Sequence, residues 1–226
     1  MSSDRREFLG AMMGAGLALG GTAGRQAHGT SLSPSRLPAL QTSPWDVSWT
    51  GKVTGKHRAV FDSPEISQGL GLVRTLVWIK DYGEVYGTKP ADMSAVVVLR
   101  HNAIWMVMND EFWDHHGVGA LTGITDPKTA QPIKRNPFLG TTPYADIPPA
   151  IADQVLTKVL ATATVLACNL AFQDVVEKFK EHTGGDAAKA RTMALHHVVP
   201  GILMQPSGVF AVTRAQEAGC QYMLGS

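Results

Sequence analysis

The chain has 226 residues, a formal net charge of +1, 44% hydrophobic residues and two cysteines. Near neutrality, with no basic block and few aromatics interleaved with Lys or Arg, excludes the electrostatic footprint of a nucleic-acid binder. The hydrophobic share, and the roughly 200 residues that follow the N-terminal segment, fit one domain with a sizeable core.

Residues 1–27 read as a twin-arginine signal peptide. Arg5 and Arg6 precede an apolar pair, Phe8 and Leu9, and then a weakly hydrophobic run rich in Gly and Ala. Such an address predicts a periplasmic protein exported in folded form. The run from Phe8 to Gly21 is shorter than the roughly 20 apolar residues of a membrane span, so no stable span is expected after cleavage. A retained signal-anchor is the alternative, since no clean A-x-A site is present. The first cysteine is Cys168, which excludes a lipoprotein anchor just after the apolar run.

Residues 28–56 are expected to form an extended N-terminal arm carrying Trp45 and Trp49, and residues 57–226 the folded domain. Arg58 to Asp62 reads as a strand, with Ser63-Pro64-Glu65 opening a helix that carries Ile66, Leu70, Val73, Leu76 and Val77 and ends at Gly87. Ser94 to Arg100 is a β-branched run of the kind buried on both faces of a parallel sheet. His101 stands at its end. Ala103 to Met108 is apolar again, with Met106 and Met108 alternating as in a strand, and Asn109 caps a short helix bearing Phe112 and Trp113. Residues 117–148, with several glycines and prolines and no sustained period, are expected as a lid loop.

One helix is predicted over Asp146 to Leu160, a buried strand over Thr162 to Cys168, and an amphipathic helix from Asn169 to His182. Asp186 caps a helix running to about His197. A strand at Gly201 to Met204, a turn at Pro206-Ser207-Gly208, a helix to Ala218 and a last strand at Cys220 to Leu224 complete the pattern. Strands alternating with helices predict a doubly wound, three-layer α/β/α domain with a mostly parallel sheet of about five strands.

In such sheets ligands bind beyond the carboxyl ends of the strands. His101, Cys168, Asn169, Ser207 and Gly208 follow strands and belong to that edge, whereas His196, His197 and Cys220 precede strands and belong to the other. A strand length of about 17–20 Å separates the edges, well beyond the roughly 7 Å Cα separation a disulfide tolerates, so both cysteines are expected as free thiols. Cys168 ends a strand and precedes a helix, where the N-terminal dipole and unpaired N–H groups stabilise a thiolate. A small buried hydrophobe is the plainer reading of the same position.

The Ser207-Gly208 turn at a helix start suits an anion, or serves only the turn itself. His101 suits a base beside Cys168 or a metal ligand, or a hydrogen-bonded strand end. His115-His116 and His196-His197 are adjacent on predicted helices, where about 100° per residue points neighbours apart, so both are weak metal signals. Met106 and Met108 are soft donors of the kind copper or a haem iron accepts, or ordinary core residues. Covalent haem lacks its C-x-x-C-H motif, and no G-x-S-x-G, Walker loop, G-x-G-x-x-G or C-x-x-C occurs.

The stretch Val165-Leu-Ala-Cys168-Asn169-Leu-Ala and the later Val199-Pro-Gly-Ile-Leu-Met-Gln-Pro-Ser207-Gly208-Val-Phe-Ala-Val-Thr-Arg-Ala-Gln-Glu-Ala-Gly219 resemble the C-terminal half of DsrE-like proteins. Those are small α/β proteins of sulfur-relay and related oxidation pathways. The resemblance spans most of residues 57–224 and implies a homo-oligomer. It also aligns Cys168 with the persulfide cysteine of sulfur-carrying members. Two functions are therefore expected to compete. One is sulfane-sulfur binding or relay through Cys168, with small sulfur species or a sulfur-carrier protein as partner. The other is a non-enzymatic periplasmic protein holding a metal or non-covalent haem through His101 with Met106, Met108 or Cys168. Neither expectation makes a cofactor obligatory.

Overall fold

The computed structural model describes residues 44–226. The signal peptide and the first part of the arm lie outside the described residues. Five parallel strands, β1 (His57–Ser63), β2 (Met93–Leu99), β3 (Thr164–Cys168), β4 (Leu203–Gln205) and β5 (Gln221–Leu224), form one sheet in the order β4-β3-β2-β1-β5. Helices α1 (Leu70–Tyr86), α2 (Asp110–His115), α3 (Val118–Thr122), α4 (Pro149–Ala152), α5 (Val155–Thr162), α6 (Asn169–Lys180), α7 (Ala187–His196) and α8 (Gly208–Glu217) join them. The three-layer α/β/α fold read from the alternating pattern is the fold observed.

Alternate side chains of each strand point to opposite faces, and the two cores follow that period. Phe61, Val97, Leu99, Val165 and Ala167 enter the larger core with Leu72 of α1, Leu156 of α5 and Phe172 of α6. Val60, Val96, Val98 and Leu166 enter the smaller one with Ala211 and Ala215 of α8. Trp49 completes that second face. The arm residues 44–56 are not extended, as a 3-10 turn over Ser48–Lys52 buries Trp49 completely. Its indole N–H donates to Gln205 Oε1 at 3.2 Å, and Gln205 Nε2 donates to the Asp46 carbonyl at 2.8 Å.

Several local expectations are corrected. Ser63 ends β1 rather than capping a helix. The chain then turns through Ser67 and Gln68 at φ 36° and 57°, which delays α1 to Leu70. Residues His101–Val107 form 3-10 turns instead of a strand, burying Met106 and Met108 in the larger core. The single helix expected over 146–160 is two, broken where Gln154 takes φ 53°.

Residues 117–148 hold α3, which buries Val118, and further buried apolar anchors that include Ile124, Ile133, Phe138 and Ile147. Asn136 fixes this segment from within the core. Its Nδ2 donates to the Met106 and Met108 carbonyls at 2.8 and 2.6 Å, while its own N–H donates to Asp110 Oδ1.

Candidate functional site

The chain leaves β3 into α6, which packs on the larger core, and leaves β4 into α8, which packs on the smaller. Adjacent strands whose following helices diverge to opposite faces make a topological switch point, the usual ligand crevice of an open parallel sheet. Cys168 closes β3 at this point and Ser207 caps the helix after β4.

Cys168 occupies the N-cap position of α6. Its sulfur accepts the Ala171 N–H at 3.5 Å, the bond that an N-cap hydroxyl or carboxylate would make. Beside it, Arg100 extends from the end of β2. Arg100 Nε and Nη2 donate to the two oxygens of Asp62 at 2.7 and 2.9 Å, and the Tyr222 hydroxyl donates to Asp62 Oδ2 at 3.1 Å. Asp62 holds the Arg100 pKa above its ordinary value against the opposing effect of burial, with smaller contributions from Tyr222 and from Cys168. The thiol is thus within the electrostatic reach of a permanent cation as well as a helix N-terminus.

Gly208 is required for another reason than its backbone freedom. A Cβ there would lie 2.4 Å from Arg100 Cδ and 2.7 Å from its Cβ, so the glycine lets the arginine stem pass beneath α8. Ser207 is engaged in capping, its hydroxyl accepting the Phe210 N–H at 3.0 Å. Asn169 follows Cys168 with its Oδ1 buried and without a hydrogen-bond partner.

His101 is held elsewhere on the same edge. With φ 49° in the left-handed region, it places Nδ1 2.8 Å from Glu65 Oε1, while Asn102 Nδ2 donates to Glu65 Oε2 at 2.7 Å. These contacts keep the Glu65 carboxyl below its ordinary pKa, Asn102 contributing most and His101 less. Among the described residues no hydrogen bond joins His101 to Cys168. Next to this group lies an open cleft of about 540 Å³ lined by Glu65, Ser67, Asn102, Trp105, Thr122 and Asp174.

The residues read from the sequence therefore divide into three places. Cys168, Asn169, Ser207 and Gly208 gather at the switch point; His101 belongs to the neighbouring Glu65 cluster; Met106 and Met108 are inside the core and at most 1% exposed. His101, with a side chain 64% exposed, and the two methionines do not form a common ligand set. Arg100, Asp62 and Tyr222 were missed by sequence reasoning. A charged pair one strand apart carries no spacing signal, although an arginine ending an apolar strand is a visible mark.

Both cysteines are free thiols. No helix among the described residues is long and apolar enough to cross a membrane. No protein-family model, curated protein or solved structure matches the chain.

Proposed function

We propose that this is a periplasmic DsrE-like protein that accepts and passes on sulfane sulfur through Cys168. The observation that carries this reading is the setting of the sulfur: an N-cap position on α6, with Ala171 N–H on the sulfur and Arg100 beside it. A thiolate so placed attacks the outer sulfur of a polysulfide. One S–S bond forms as another breaks, the shorter polysulfide leaves with the electron pair, and Cys168 becomes a persulfide without any external oxidant. Attack by an acceptor thiolate on the outer sulfur returns Cys168.

The absence of a second thiol at this edge among the described residues suits carriage over a dithiol cycle. Cys220 lies before β5, at the opposite edge. Leu170 and Val209, 66% and 71% exposed at the first turns of α6 and α8, add apolar surface next to the two strand ends, compatible with weakly hydrated sulfur. Export in folded form follows from Arg5 and Arg6, and replacing both by Lys is expected to leave the protein in the cytoplasmic fraction.

Intact-mass and peptide mass spectrometry after exposure to polysulfide test the chemistry. A gain of one sulfur atom on Cys168, removed by a reductant and missing from Cys168→Ser, supports the assignment. An unmodified Cys168 in folded protein, or modification confined to Cys220, refutes it.

A further inference from the structure

A second cluster of ligating side chains lies on the outer surface of the helical layer. Helix α2 ends at His115, and His116 leaves helical geometry at φ −101°, ψ 7°. Their rings are therefore not splayed as in a continuing helix. The centroids stand 4.7 Å apart. The 3-10 turn Glu181–Thr183 that follows α6 brings in a third imidazole, with His182 at 6.0 Å from His115 and 6.5 Å from His116. Phe179 packs edge-on to His116 at 4.9 Å and fixes the side of the cluster that faces the core.

We propose that His115, His116 and His182 form a binding site for a divalent transition-metal ion of the imidazole-preferring class, represented by zinc. With a Zn–N bond of about 2.0 Å and a ring centre about 1.1 Å further on, tetrahedral ligation holds imidazole centroids roughly 5 Å apart. The three observed separations bracket or approach that value. Among the described residues no group of three His, Cys, Asp or Glu side chains stands where it could hold a metal ion, so the proposed site forms only on rotation of the three imidazoles. His115 and His182 are exposed and half-buried His116 is the anchor, so such rotation meets little steric resistance. Three protein ligands and an open, solvent-facing fourth position describe an exchangeable or reactive site rather than a closed structural one.

The inference is independent of sulfur handling at Cys168. The test is zinc(II) titration of the untagged full chain by calorimetry, with cobalt(II) absorbance as a report on nitrogen ligation. The expected result is one ion per chain, at least about tenfold weaker in His115→Ala and in His182→Ala, and unchanged in His196→Ala. His115 and His182 are surface positions, so circular dichroism is expected to show both variants folded. Absence of stoichiometric binding in the parent protein, or equal affinity in the His182→Ala protein, overturns the proposal.

Discussion

The carboxyl and amino edges of the sheet each carry one cysteine, and the two are equally buried, at 6% exposure. What differs is the chain around them. Cys168 stands where a strand feeds a helix, so it meets an N–H donor and, from the neighbouring strand, Arg100. Cys220 stands where helix α8 feeds a strand, and its own N–H bonds back to the Ala215 carbonyl. Burial pushes the Cys220 thiol up to about 11, and Arg58 offsets this only in part. That guanidinium is already bonded to the Gly55 and Ala218 carbonyls. In a parallel α/β sheet, chain direction therefore sorts otherwise similar residues into a donor-rich edge and a carbonyl-rich edge.

The largest expected consequence is in thiol chemistry. A thiol with a pKa of about 11 has roughly a thousandth of its population as thiolate at pH 8, against roughly a quarter for an ordinary cysteine. Cys220 should then alkylate roughly a hundredfold more slowly than a free cysteine, with Cys168 labelled first. Peptide mass spectrometry over a time course with iodoacetamide reads both sites together. Equal rates would erase the distinction between the edges.

Arg100→Met attacks the donor-rich edge directly. It leaves Asp62, 4% exposed, facing Tyr222 with no cation. Removing one partner of a buried pair costs about 3–5 kcal/mol, and because nearly a third of the Arg100 side chain is exposed the expected loss is nearer about 2–3 kcal/mol in urea unfolding. Cys168 alkylation should slow in the same variant. Stability lost with Cys168 reactivity unchanged would separate the ion pair from the thiol.

A pair of glycines offers a smaller contrast. Gly208→Ala drives a methyl group into the Arg100 stem and should cost about 1–3 kcal/mol, with slower labelling at Cys168. Gly219→Ala, at φ 92° on the opposite edge, should cost about 1–2 kcal/mol through backbone strain, with a Cβ 3.1 Å from Arg58 Nη1, and leave Cys168 labelling untouched.

These contrasts rest on features of unequal visibility in the sequence. The β-branched run from Ser94, the buried strand ending at Cys168, the caps Asn109 and Asp186, and the terminator Gly87 are local, and each is found where its chemistry puts it. The 3-10 path of His101–Val107 was not legible, because two methionines spaced by one residue satisfy a strand period while tertiary burial fixes the actual turn. The break at Gln154 likewise has no glycine or proline to announce it. At the site, Cys168 was visible because strand-then-helix places it. Its partner Arg100 was not, because β2 and β3 become neighbours only through the sheet order. The closeness of the His115 and His116 rings was not legible for a related reason: ideal helical spacing stops applying at the residue where α2 ends.

The smallest effect asks whether the carboxyl edge is one electrostatic unit or two. The Glu65 carboxylate is hydrogen-bonded to Asn102 and His101, and Arg100 of the Asp62–Arg100 pair acts on it only through space and weakly. Its folded pKa lies below the ordinary value of 4.5, so the carboxylate contributes stability above that pH and loses it as pH falls through the lower folded value. Glu65→Gln removes this titration. The urea midpoints of parent and variant should differ at pH 7 and converge as the pH is lowered past 4.5, by an amount kept small because the Glu65 side chain is 44% exposed. If Cys168 labelling at pH 8 stays constant in this variant, the Glu65 cluster and the thiol pocket are separate devices on one edge. A labelling rate that rises on losing the carboxylate would mean that its negative charge reaches Cys168, and that Arg100 is balancing two acids rather than one.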